Sequence, residues 1–588
     1  MPVEPTGTLG LLPPLLRHEP ALAGVVGRSD ATLAVAAPAQ PFVLAGLAHL
    51  TERRPLVVVT ATAVDAERFA GDLRCFLGEG GTTSPESPAG TPVVLLPAWE
   101  TLPFERVSPE IGTMGRRLEI LWRLFGDRQS PANPAPPAVV VAPVRALLQR
   151  LAPFEEAARP LVVESGARLD ATEALEWLIG AGYRREHQVE HRGEVAVRGG
   201  IIDVFPSTGS DPVRIDLWGD EVERLTTFDV ADQRSITAHR AVAIFGCREL
   251  LPTSDARKRA ADLVATEPWG RSQWERLADG QLFDGMESWL PWLERDERLL
   301  TDLLPPDAVV VLVEPRRVRD RAIELHDEEG ALAEVLASTW GAVAGTGAED
   351  SAPPAPPAPP APPAPPAPLV PPVPSRVTDR TLPRLYCGFD RLLSQSKAST
   401  LSVVSVADGP AMPAVTVRGF EPVAGDPARL AGQVTALVAD GCSVTLCSST
   451  AGGAARLSAV LAEEGVIAPV VAKATATAGA EVVTPSPAMG FVVPSASVAV
   501  LAESDVTGRR TSHRQARPRA RATDGFFDDF EPGSFVVHRQ HGVARYAGMT
   551  TRAIGGATRD YLVLEYRGSD RLYLPVEQIE AITPYSGG

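Results

Sequence analysis

The stretch Ala352–Pro366, five consecutive Ala-Pro-Pro triplets, limits what this chain can fold into more than any other segment. Two prolines in every three residues remove the backbone donors that a helix or a sheet ladder needs. The tract is therefore expected to be a stiff polyproline II spacer. Such composition can also serve a proline-binding module, but the regular alanines favour a plain linker. A chain of 588 residues is too long for one core and is expected to form three to five domains, with this tract as one of the boundaries.

The texture on either side supports a multidomain α/β chain. Residues 1–155 carry apolar runs suited to buried parallel strands at Leu56–Thr60, Val93–Pro97 and Val139–Ala142, with helical patterns at Ala63–Leu77 and Thr113–Phe125. From 156 to 246 short alternating strands broken by Gly, Pro and Asp predict an inserted α+β domain. Helical sequence (Asp255–Leu300) and a further buried-strand run at Val309–Val313 predict that the first α/β layer resumes over 247–347. After a linker over 348–375, residues 376–506 predict a second, small α/β domain with strands at Ser443–Cys447 and Val498–Leu501 around a helix at Ala451–Glu464. A basic linker (507–529) follows, with six arginines between Arg509 and Arg521. The last module, 530–588, is dense in strand signals (Ser534–His538, Ala544–Met549, Tyr561–Tyr566, Arg571–Val576). Its turns at Gly555-Gly556 and Gly568–Asp570 suggest a small SH3-like β-barrel.

Charge and cysteines narrow the function. A net charge of −17 provides no global basic field for nucleic acid, so DNA contact is expected only through a local patch such as the basic linker. The five cysteines lack ligand spacing, which argues against zinc and against a disulfide framework and fits a reducing cytoplasm. No signal peptide or membrane-length apolar run is apparent.

Within the inserted domain, VRIDLW alternates strictly. Val213, Ile215 and Leu217 take one face of a strand, and Arg214, Asp216 and Trp218 take the other. Arg198, on the preceding strand VAVR, points the same way. An Arg and a Trp on the wet face of a sheet are typical interface anchors; a solvated face with one chance aromatic accounts equally well for the pattern alone.

Catalytic motifs are missing. No GxxxxGK[ST] occurs, and the equivalent position reads PAQPFVLAGLAHL, where Gly46 stands alone and no lysine follows. Gly452-Gly453 opens a helix but lacks the lysine, and no GxSxG or HExxH is present. No metal ligands or cofactor site are expected in this chain.

Three stretches carry a family resemblance. PAWETLPFERVSPEIGTMGRRLEILWRL (Pro97–Leu124) resembles sequence shared by the excision-repair protein UvrB and the transcription-repair-coupling factors. GYRREHQVEHRGEVAVRGGIIDVFPSTGSDPVRIDLWGDEVERLTTFDVADQRS (Gly182–Ser235) is similar to the inserted domain by which both bind UvrA. Pro532–Thr551 and Tyr561–Gly588 resemble the RNA-polymerase-interacting domain that UvrB lacks, so the order of modules is that of the coupling factors. The resemblance implies UvrA contacts at Arg198, Arg214 and Trp218, where the family often has Phe at the last position. UvrB adds Arg185 and Asp216, while another UvrB arginine corresponds to Ala196.

For the RNA polymerase β subunit it implies a contact strand over Met549, Thr550, Thr551, Arg552, Ala553 and Ile554, with Arg552 at its central, usually apolar position. It also implies a degenerate UvrB-like first domain without nucleotide chemistry. A RecG-like translocase using ATP and Mg, together with a lid over the UvrA surface, would follow in the intact family protein. A chain ending at PYSGG is then expected to bind UvrA constitutively and to have no enzymatic activity of its own. The expected function is that of an adaptor in transcription-coupled excision repair. The alternatives are a UvrB-like ATPase acting on damaged DNA, or a purely transcriptional polymerase-binding factor.

Overall fold

The computed structural model describes residues 6–78, 92–127, 135–343, 382–420, 423, 425–507, 533, 535–538, 542–554, 557–566, 571–575 and 582–584. The Ala-Pro-Pro tract, the segment Arg509–Arg521 and the two predicted turns at Gly555-Gly556 and Gly568–Asp570 lie outside them. In chain order the strands are β1 (Asp30–Ala34), β2 (Leu56–Thr60), β3 (Val93–Leu95) and β4 (Val139–Pro143). Then come β5 (Leu161–Glu164), β6 (Arg184–Arg185), β7 (Glu194–Arg198), β8 (Ile201–Val204), β9 (Val213–Trp218), β10 (Glu221–Phe228), β11 (Ser235–His239) and β12 (Ala241–Ile244). The chain continues through β13 (Val309–Val313), β14 (Ser399–Val404), β15 (Ser443–Cys447), β16 (Gly479–Val483), β17 (Phe491–Val493) and β18 (Val498–Leu501). The last five strands are β19 (Phe535–His538), β20 (Gly542–Ile554), β21 (Ala557–Glu565), β22 (Arg571–Pro575) and β23 (Ile582–Pro584).

The first sheet is parallel, in the order β1-β14-β13-β2-β4-β3. Its central strands are unbroken apolar runs because both faces are covered. Val57, Val59, Val140 and Val310 enter one core, whereas Leu56, Val58, Val141 and Val311 enter the other. The second α/β unit (β16-β15-β18-β17) shares that second core through Cys447, Phe491, Val493, Val498 and Val500. Phe491 stacks on Phe42 at 5.1 Å between ring centroids. At the same junction Asp72 accepts a hydrogen bond from the Ala488 amide, and burial pushes its carboxyl up to about 6.

One boundary differs from the sequence reading. β14 lies beyond the Ala-Pro-Pro tract, in sequence that looks like the start of the small α/β unit, yet it pairs with β13 and β1 inside the first sheet. The helix Pro315–Val343 and the tract together form the crossover between two adjacent parallel strands. The returning chain is pinned to that same helix: Glu329 accepts from the amides of Leu385 (2.6 Å) and Tyr386 (3.1 Å). Composition signals a spacer but cannot show which strands its ends belong to. Because both ends are fixed to one sheet, the tract cannot set the reach between modules. Deleting Ala352–Pro366 is expected to leave unfolding free energy little changed, because the strands on either side keep their pairing in the first sheet. Urea unfolding of the deletion variant checks this.

The inserted unit is a six-stranded sheet, β11-β10-β9-β8-β7-β6, antiparallel except for β6 beside β7. The helix Ala171–Gly180, capped by Asp170 accepting from the amides of Thr172 and Glu173, packs Ala174 and Leu178 against Val195, Ile202, Val204, Val213 and Ile215. One face of the sheet is thereby buried, and the other carries a small buried cluster of Val189, Ala196, Phe205 and Phe228 beside an exposed part. The last unit is a five-stranded antiparallel sheet, β22-β21-β20-β19-β23. Among the described residues, no helix is long and apolar enough to cross a membrane.

Candidate interaction surfaces

The outward face of the inserted sheet is set by hairpin register. Gly199 takes φ +60°, which turns the chain so that Arg198 pairs with Ile201 and Ala196 with Asp203. Gly200 leaves room for its neighbour, since a Cβ there would come within 2.7 Å of the Leu217 carbonyl oxygen. Across β8 and β9, Asp203 then faces Arg214 and Ile201 faces Asp216. Arg198, Asp203, Arg214, Asp216 and Trp218 therefore share one face, as the alternation predicts for the residues it includes.

Their chemistry divides them. Asp203 is buried and lies under both arginines. Its Oδ1 accepts from Arg214 Nε at 2.7 Å, and its Oδ2 accepts from Arg214 Nη2 (2.9 Å) and Arg198 Nη2 (3.1 Å). Arg214 is further fixed by donating to the Gln233 carbonyl at 3.1 Å and by lying 4.5 Å above the buried Phe228 ring. The hydrogen bonds to Asp203 raise the Arg214 pKa above its ordinary value. Bidentate pairing and stacking of this kind hold a guanidinium in one orientation. Asp216 is engaged by Arg224 at 2.8 Å. Trp218, in contrast, is 80% exposed. It stands four strand residues from Arg214, about 13 Å along β9. An open groove lined by Gly200, Ile201, Asp216, Leu217, Glu223 and Arg224 crosses the face near it.

Arg185 departs from this arrangement. It pairs in parallel register with Val195, whose side chain enters the core, so the outward position of the edge strand β6 is Arg184. Arg184 pairs with Glu194 at 3.4 Å. The sequence reading missed Asp203 and Phe228. Asp203 was legible in principle, because Ile202 and Val204 point inward on either side of it; the contact with Arg214 depends on the length of the β8–β9 connection.

In the last sheet, β20 pairs with β21 from Arg545 to Ile554, but with β19 only over Gly542–Arg545. Among the described residues, the stretch after Arg545 has a neighbour on one side only. Met549 and Thr550 lie on it, Met549 half exposed; the side chains of Thr551, Arg552, Ala553 and Ile554 lie outside the described residues.

A third feature is the crevice at the C-terminal ends of β2, β13 and β14, where a parallel sheet usually binds ligands. It is lined by Gln40, Asp65, Arg68, Asp72, Glu314, Arg317 and Ser405 among others. Gln40 donates to Glu314 at 3.3 Å, and Ser405 also donates to Glu314. Asp65 in turn pairs with Arg68 at 3.1 Å and with Arg317 at 3.4 Å.

Comparison with known proteins falls on the same two units. Residues 161–250 match the UvrB interaction domain, and residues 530–586 match the CarD-like/TRCF RID domain. The transcription-repair-coupling factor of Mycobacterium bovis is 34% identical over 96% of this chain, and that of Myxococcus xanthus 30% identical over 96%. The Escherichia coli protein is 27% identical over 92%. The chain spans 45%, 46% and 44% of the length of these three relatives.

Proposed function

Since the chain belongs with the transcription-repair-coupling factors, matching their N-terminal part, we propose that it is an adaptor that binds RNA polymerase stalled at a lesion and recruits UvrA. The observation that carries this reading is the outward face of the inserted sheet. It joins a fixed arginine pair and an 80% exposed tryptophan in the region that matches the UvrB interaction domain. On this reading Arg198 and Trp218 contact UvrA, Arg214 lies on the same face as the brace of Arg198 with Asp216 beside it, and Arg185 is peripheral. The last unit, read as an SH3-like barrel, offers the one-sided stretch Met549–Ile554 to the polymerase β subunit. Edge pairing is a main-chain interaction that tolerates Arg552 at the centre.

The mechanism is tethering. Holding UvrA and polymerase on one chain replaces a bimolecular search by an effective concentration on the order of millimolar for short flexible connections. The reading assigns no cofactor to this chain. ATP with Mg, and displacement of the polymerase, would belong to the translocase part of the whole protein. DNA contact, if made here, would fall to the arginines of 509–521.

The test is a bridging experiment. Immobilised RNA polymerase is expected to retain UvrA only when this chain is added. Polymerase that holds the chain but no UvrA overturns the adaptor reading. Lesion-stimulated ATP hydrolysis by the chain, well above background, would favour the UvrB-like enzyme instead.

A further inference from the structure

The two arginines of the proposed UvrA face are not equivalent, and the difference identifies a further residue. Arg214 spends Nε and Nη2 on Asp203 and Nη1 on the Gln233 carbonyl, and its flat face lies over Phe228. Its side chain is only 18% exposed, so it has little left to offer a partner. Arg198 is 52% exposed and touches Asp203 through Nη2 alone. The rest of its fork points to solvent.

Two guanidinium groups brought to one site repel each other unless an anion lies between them. Asp203, 1% exposed, is that anion, and it collects all three N–H donors on two oxygens. The trio keeps one net positive charge, displayed on Arg198. We infer that Asp203 is a positioning residue that, with Arg214 as its brace, holds Arg198 ready for a carboxylate on the partner. That carboxylate meets Arg198 on β7, and Trp218 anchors the partner from β9, two strands away. This inference rests on the reading of the face as the UvrA surface.

The test measures UvrA affinity for the full chain. Asp203→Asn preserves shape but replaces one acceptor oxygen by an NH₂ group facing the arginines. It is expected to weaken binding tenfold or more. In an Arg198→Ala background the same change is expected to cost less than twofold, because the group it positions is already gone. A purely structural role predicts equal losses in both backgrounds, and that result overturns the inference. So does unchanged affinity of Asp203→Asn.

Asp203→Glu, which keeps the charge but moves it by one methylene, is expected to bind more weakly than the unsubstituted chain. Full affinity there would mean that charge alone matters, not position, and also overturns the inference. Circular dichroism and melting curves accompany each variant, and failure of both Asp203 variants to fold assigns the residue to structure and overturns the inference. If the unsubstituted chain does not bind UvrA, the reading of the face itself fails and carries this inference with it.

Discussion

Glu249→Ala is expected to destabilise the first unit by about 3–5 kcal/mol, because it leaves an arginine charge buried without its partner. Arg117 is fully buried on the helix Ile111–Phe125, and its Nε donates to Glu249 Oε1 at 2.7 Å. The indole Nε1 of Trp99 donates to the same oxygen at 2.7 Å, and Arg117 Nη1 donates to the Pro97 carbonyl at 2.9 Å. Glu249 lies where the chain returns from the inserted unit, so the ion pair ties that return to the first unit. Glu249→Gln keeps an acceptor for the indole and is expected to lose less. The double replacement Arg117→Met with Glu249→Leu removes both charges and is expected to lose less than Glu249→Ala, the remaining loss coming from the unpaired Trp99 indole and Pro97 carbonyl. Urea unfolding, followed through the first unit's transition, separates these cases. A loss below about 1 kcal/mol for Glu249→Ala would mean that water or a nearby anion satisfies Arg117.

How much of this was legible in the sequence depends on whether a feature is local. β2, β13, β15 and β18 fall on the residues that apolar runs predict, because a strand buried on both faces needs no partner information to be seen. The helix Ala63–Leu77 does as well, since Thr62 caps it by accepting from the Asp65 amide and its apolar residues recur at helical spacing. The placement of β14 was not legible. Nothing in Ser399–Val404 tells a strand of the first sheet from a strand of the second unit, and a proline-rich insertion looks like a boundary wherever it occurs.

The site shows the same limit. Alternation placed Arg214, Asp216 and Trp218 on one face. The ion pairs of Arg214 and Asp216, however, come from β8 and β10 and follow from register across strands. Arg185, which the resemblance and not the alternation suggests, stands off that face on a two-residue edge strand whose parallel pairing with Val195 no local pattern specifies.

Trp218→Ala is expected to weaken UvrA binding by at least about 2 kcal/mol, roughly thirtyfold, while leaving the chain's own stability within about 0.5 kcal/mol. The two halves of that expectation have one cause. A side chain 80% exposed contributes little to the fold it stands on, and most of its apolar surface remains to be buried by a partner. Trp218→Phe should recover most of the loss, because a phenyl ring still fills an apolar cleft. Arg224→Ala serves as the contrast: its pair with Asp216 is 62% exposed on the arginine side, where such pairs are worth about 0.2–1 kcal/mol.

Salt then separates the two anchors of the face. The loss caused by Arg198→Ala should shrink as salt rises, because screening weakens the carboxylate contact in the unsubstituted chain too. The Trp218→Ala loss should persist, since removal of apolar surface from water is not screened. If both losses decline together with salt, the tryptophan is not buried in the complex, and the face is read by charge alone.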